Sequence, residues 1–161
     1  MSKRPGYKPI TKASNAAQIR LQKDLEEATV MADVTITFPN PDNIQKFHVR
    51  LLISHGIWAG GKFDFSFDIP NDWPHQRPEV KILTRVWHPN IAEDGPVCLN
   101  ILRDNYTPVM SISHLIAGLQ YLFDQPNPQS PLNFDASQQY LQNYEAFKVK
   151  AEQYKDEYCP K

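Results

Sequence analysis

Hydrophobic positions along this chain recur first every three to four residues, then every second residue, and then, after a long aperiodic interval, every three to four again. Ala17, Leu21, Leu25 and Ala28 share one stripe at about 100° per residue, which predicts a core-facing helix from a cap at Ser14 to about Thr29. On the opposite side, about 160° from the stripe's centre, Ile19 forms an exposed apolar spot beside Arg20 and Lys23. Strict alternation follows in four runs: Val34, Ile36 and Phe38; Phe47, Val49, Leu51 and Ile53; Phe63, Phe65, Phe67 and Ile69; Val80 and Ile82. Period two with polar intervening residues means half-buried antiparallel strands. Turn chemistry in "PNPDN" at 39–43 and "GG" at 60–61 joins consecutive strands, so a meander of four is predicted, with helices covering its one apolar face.

From Trp87 to about Met110 no period survives, and an irregular stretch that long inside a domain is usually functional. Helical spacing returns at Ile112, Leu115, Ile116, Leu119, Leu122 and Phe123, behind Ser111 as cap. This central helix buries one stripe and presents His114, Ala117 and Tyr121 on the other, where small residues let a partner approach. The prolines of "DQPNPQSPLN" end it, and the remainder reads as one or two polar-faced helices. The fold class is α+β: N-terminal helix, four-stranded antiparallel meander, central helix, C-terminal helices. Residues 1–13 have no period and are read as a flexible N-terminal arm with two apolar anchors, Tyr7 and Ile10; residues 14–161 are read as a single domain.

Composition narrows the partners. With 17 Lys+Arg against 18 Asp+Glu the formal net charge is -1, so nothing calls for nucleic acid or an anionic membrane. A chain of 161 residues can bury one sizeable core without disulfides or a structural metal. Its 2 cysteines, Cys98 and Cys159, have neither disulfide nor zinc-ligand spacing, which suits a reducing compartment. No apolar run approaches the roughly 18 residues of a membrane span, and "MSKRPGYKPITKAS" lacks an apolar secretory segment. A cytoplasmic and/or nuclear protein is expected, and the sequon at Asn105 is read as a chance match.

The chemistry concentrates in "WHPNIAEDGPVCLNIL" at 87–102. Cys98 reads either as a buried structural thiol or as a thiol at a groove edge. If it is a nucleophile it lacks a convincing base: Pro89 restricts His88 to extended backbone, which suits the ring to bracing the loop. Thioester exchange needs no dedicated base, because one thiolate displaces another of similar basicity. Transfer onward to an amine is harder, since a lysine near neutral pH carries a protonation handicap of roughly 4 kcal/mol. Asn90, eight residues before the thiol in the sequence, can fold back over it through a turn at "EDG".

His88-Pro89-Asn90, then Gly95, Cys98-Leu99, Tyr106-Thr107-Pro108 and "PNPQSPLN", in this order, resemble the catalytic core of ubiquitin-conjugating enzymes over roughly residues 15 to 158. The resemblance implies that Cys98 accepts a ubiquitin-like modifier from an activating enzyme as a thioester. Asn90 would then stabilise the oxyanion or order the loop, with His88 and Pro89 holding the turn. "CLNIL" with Asn100, "PV" at 108–109, "GLQYLF", "PLN" and His75 are similar to the subgroup that conjugates the Nedd/Rub modifier. The implied partners are that modifier, its activating enzyme and a RING/cullin-type ligase, with ATP used by the activating enzyme and no cofactor on this chain, which is expected to be a monomer.

By the same resemblance, Ile19, Arg20, Lys23, His75, Pro108 and Val109, with Tyr7 and Ile10 of the arm, form the face for activating enzyme and ligase. His114, Ala117 and Tyr121 form the modifier-binding face. Ser130 stands where many members of the family carry an acidic residue that helps the acceptor lysine lose its proton. The alternatives are an ordinary ubiquitin-conjugating enzyme, a non-catalytic binding module of the same fold, which would lack the cysteine, and a cysteine hydrolase.

Overall fold

The computed structural model describes residues 15–161. The expected arm, with Tyr7 and Ile10, and Ser14 lie outside them. Helix α1 spans Ala16–Ala28 and is capped by Asn15, whose Oδ1 accepts from the amide of Gln18 at 2.8 Å. Asparagine serves here because its short carbonyl reaches the third amide of the first turn, so the cap falls one residue beyond the expected Ser14. Leu21, Leu25 and Ala28 are buried as the stripe requires.

The alternating runs form one antiparallel sheet in sequence order: β1 (Val34–Thr37), β2 (Lys46–Leu52), β3 (Lys62–Asp68) and β4 (Glu79–Ile82). The register sets Ile36 opposite Val49, Val49 opposite Phe65, and Phe65 opposite Ile82, so one face is a continuous apolar row. On the other face Arg50 lies directly across from Asp64, and its guanidinium grips both carboxylate oxygens at 2.7 and 2.9 Å. Phe38, Ile53 and Ile69 continue the alternation past the ladder ends and stay buried.

The apolar row is covered by α2 (Ile112–Asp124), whose cap is Ser111 as the pattern indicated. Its Phe123 ring lies 4.8 Å from Phe63 and meets the edge of Trp58 at 5.5 Å. α1 packs beside α2. The polar C-terminal region forms two helices, α3 (Phe134–Gln142) and α4 (Tyr144–Tyr158). Asn143 ends one and caps the next, its side chain accepting from the amide of Ala146 at 3.2 Å. Inside the aperiodic stretch lie isolated antiparallel bridges, His88 with Ile91 and Ile91 with Val97, and a 3₁₀ turn, Asn100–Leu102, all too short to leave a periodic signature.

Candidate active site

The loop before the thiol is built around His88. Its ring is fully buried and stacks on Trp58 with centroids 4.7 Å apart. Nδ1 accepts from the amide of Asn90 at 2.9 Å, and Nε2 lies 2.9 Å from the carbonyl of Leu122, which fixes the Nε2–H tautomer. Burial lowers the pKa of the ring to about 4, so it is neutral at physiological pH. With both nitrogens engaged, His88 braces the loop and is no base for the thiol. Pro89 is also buried, and its carbonyl accepts from the amides of Leu132 and Asn133 at 2.9 and 3.0 Å.

Asn90 then joins two segments. Its carbonyl accepts from the amide of Cys98 at 2.8 Å, which sets the cysteine beside it. The chain between them reverses at Glu93-Asp94-Gly95, where Gly95 has φ +118 and its amide bonds to the carbonyl of Ala92. That backbone conformation is open to glycine at no steric cost. The Gly95 carbonyl in turn accepts from Ile82 at 2.9 Å, anchoring the turn to β4. The Asn90 side chain points the other way, into the loop after α2. Nδ2 donates to the carbonyls of Asn127 and Ser130 at 2.6 and 3.0 Å, and Oδ1 accepts from the amide of Asn127 at 2.8 Å. Both amide hydrogens are therefore consumed, so of the two roles the resemblance implied, the geometry matches loop ordering.

Cys98 is partly exposed and lines an open groove of about 430 Å³. Asn90, Leu99, Asn100, Asn127 and the exposed Ser130 line the same groove. The exposed face of α2 contributes as well: His114, Ala117 and Tyr121 all border it. Gly118 is what brings the 3₁₀ turn against α2, since a Cβ there would meet Ile101 Cδ1 at 2.5 Å and Leu99 Cδ2 at 3.2 Å. Beyond the turn, the guanidinium of Arg103 donates from Nη1 to Cys98 Sγ at 3.4 Å. Sequence reasoning missed both residues. A helical glycine was legible as a close approach but not its partner, and nothing in the spacing singles out an arginine five residues past the thiol.

The expected docking face is assembled by tethers from three segments. Ile19, Lys23, His75, Pro108 and Val109 are exposed, Val109 to 87%. Arg20, expected on the same face, is partly exposed and held by four hydrogen bonds. Its Nε bonds both carboxylate oxygens of Asp24, and its Nη2 donates to the carbonyls of Pro108 and Met110 at 3.2 and 3.1 Å. A guanidinium with several fixed donors suits such bridging, so Arg20 ties α1 to the 108–110 loop rather than projecting from it. Asp24, pushed up in pKa by burial and held down in part by Arg20, also accepts from Trp73 Nε1 at 3.0 Å. The Tyr106 hydroxyl, raised to about 12 by desolvation, donates to the carbonyl of Pro74, next to His75. Cys159 lies far along the chain at the end of α4, where burial pushes its thiol pKa up.

A partly exposed thiol in a groove, with the histidine of the preceding loop engaged at both ring nitrogens, on a four-stranded meander covered by α2, is an arrangement that can carry an acyl group on an α+β fold. Residues 20–155 match the sequence model of the ubiquitin-conjugating enzyme family. The chain is 44% identical over 137 residues to the NEDD8-conjugating enzyme UBC12 of Yarrowia lipolytica, covering 85% of this chain and 76% of that protein. It is 42% identical over 126 residues to the Nedd8-conjugating enzyme UbcE2M of Drosophila melanogaster, covering 78% and 70%. Among solved structures, S. cerevisiae Ubc12 superimposes with a TM-score of 0.80 at 32% identity, covering 88% of this chain and 80% of that one. The chain belongs to the ubiquitin-conjugating enzyme family.

Proposed function

We propose that this protein conjugates a NEDD8-type modifier, carrying it as a thioester on Cys98 and passing it to a substrate lysine with a cullin/RING-type ligase. The observation that carries the reading is the environment of Cys98: a partly exposed thiol lining a groove, hydrogen-bonded through its sulfur to an arginine and, among the described residues, to no general base. In charging, Cys98 Sγ attacks the thioester of the activating enzyme, whose own thiolate leaves, and ATP is spent on that partner rather than here. In discharge, the lysine amine attacks the thioester carbonyl and Cys98 leaves as thiolate. The modifier's C-terminal tail would lie along the groove between Ser130 and the α2 face of His114, Ala117 and Tyr121. Activating enzyme and ligase would take turns on the surface of Ile19, Lys23, His75, Pro108 and Val109. The names of the relatives support the choice of modifier.

A charging assay tests this. Purified protein and ATP are incubated with NEDD8 and its activating enzyme, or with ubiquitin and its own, and resolved with and without reductant. A reductant-sensitive adduct with the first pair, lost in Cys98→Ala, is expected. An adduct with ubiquitin alone would overturn the modifier, and no adduct with either would overturn the carrier role.

A further inference from the structure

Charge must be stabilised on the sulfur when the thioester breaks, and the side-chain amide of Asn90, which lines the same groove, is already committed. Both Nδ2 hydrogens of Asn90 are held by the carbonyls of Asn127 and Ser130. Arg103 is free of such commitments: its guanidinium offers five N–H donors, and among the described residues its one side-chain hydrogen bond goes to Cys98 Sγ at 3.4 Å. It is held there by the 3₁₀ turn, in which the Leu102 amide bonds to the Leu99 carbonyl and the Arg103 amide to that of Asn100, at 2.9 and 3.0 Å. Those bonds fold the chain back so that a residue five positions on returns to the thiol.

We propose that Arg103 is a catalytic residue that stabilises the Cys98 thiolate, as nucleophile in charging and as leaving group in transfer. This rests on the carrier reading above. In transfer, the amine nitrogen bonds to the thioester carbonyl carbon, the C–S bond breaks and its electron pair goes to Sγ, where Arg103 Nη1 donates; the surplus amine proton goes to solvent. A guanidinium hydrogen bond to a developing anion is stronger in the transition state than to the neutral thioester sulfur, so it accelerates the step rather than only binding. Arg103 also borders a second groove with Arg77, Lys81 and Leu132, so acceptor docking is the competing role.

The test uses the full chain as wild type, Arg103→Gln and Arg103→Lys. Alkylation by iodoacetamide at neutral pH, read separately at each cysteine by peptide mass spectrometry, needs no modifier. At Cys98 it is expected to slow about fivefold in Arg103→Gln, less in Arg103→Lys, with Cys159 unchanged and the difference shrinking in about 1 M salt. Discharge of the preformed NEDD8 thioester to free lysine is expected to lose about fivefold in its saturating rate with the half-saturating lysine concentration unchanged. Equal alkylation at Cys98 in all three proteins would overturn the proposal. So would an Arg103→Gln effect confined to half-saturating lysine, which would make Arg103 an acceptor contact. Failure of the wild type to charge would overturn the carrier reading and the leaving-group role with it, whereas a charged wild type matched by Arg103→Gln would overturn the role of Arg103 alone.

Discussion

Asn90 donates an amide hydrogen to the carbonyl of Ser130 at 3.0 Å, so the residue whose own carbonyl seats Cys98 also holds another residue that lines that thiol's groove. One residue thereby couples the thiol, through its backbone, to the loop after α2, through its side chain.

Replacing Asn90 by Asp keeps the shape and the acceptor for the Asn127 amide but removes both donors and sets a negative charge against two carbonyls. The expected cost is about 1–3 kcal/mol of stability, with faster amide exchange around Ser130 and slower lysine discharge. Hydrogen exchange and discharge are measured on the same protein. Native exchange with lost discharge would assign Asn90 to the oxyanion instead.

His88 makes stability depend on pH. Its ordinary pKa of 6.5 falls to about 4 on burial, so between these values the unfolded chain binds more protons than the folded one. The contribution is complete above about pH 6.5 and is lost as pH falls toward 4, a decrease on the order of 3 kcal/mol. Asp24, raised by burial, acts in the opposite sense at the acid end. Urea midpoints measured from pH 7 to 4.5 are expected to fall for the wild type and to run flatter, from a lower start, for His88→Asn. Parallel curves would show that another group sets the slope.

Arg20 holds the 108–110 loop through the carbonyls of Pro108 and Met110. Arg20→Ala leaves Asp24 buried beside Trp73 without its cation and frees the carbonyls of Pro108 and Met110. A loss of about 1–2 kcal/mol is expected, allowing for screening of the partly exposed guanidinium. Charging should slow while alkylation of Cys98 stays normal, because the surface for the activating enzyme moves and the thiol does not. A normal charging rate would place docking elsewhere.

Ser130 sits exposed on the groove wall with its carbonyl fixed by Asn90. A carboxylate there would favour the approach and deprotonation of the acceptor lysine, and a phosphate would add about -1.5 to -2 charge. Ser130→Asp is expected to speed lysine discharge severalfold near neutral pH, with the gain shrinking as the medium itself deprotonates lysine. An enzyme no faster than wild type across the pH range would remove Ser130 from the acceptor step.

Much of the architecture is written locally. Leu21 and Leu25, the alternating phenylalanines of β3, and the Ile112–Phe123 stripe each announce their element because period and burial are properties of neighbouring residues. The thiol and its companions His88, Pro89 and Asn90 were legible for a related reason: they lie within one short segment whose aperiodicity marks a loop.

What the sequence by itself determined is the first helix, the four strands in meander order and the central helix, and it singled out Cys98 as the candidate for the chemistry. Only the tertiary structure decided what each neighbour of the thiol does. Asn90 turns its amide to carbonyls forty positions away, Arg20 reaches loop carbonyls some ninety positions away, and Arg103 returns to the sulfur through a single 3₁₀ turn. Hydrogen-bond partners at such separations are chosen by how packed elements meet, and no local spacing records them.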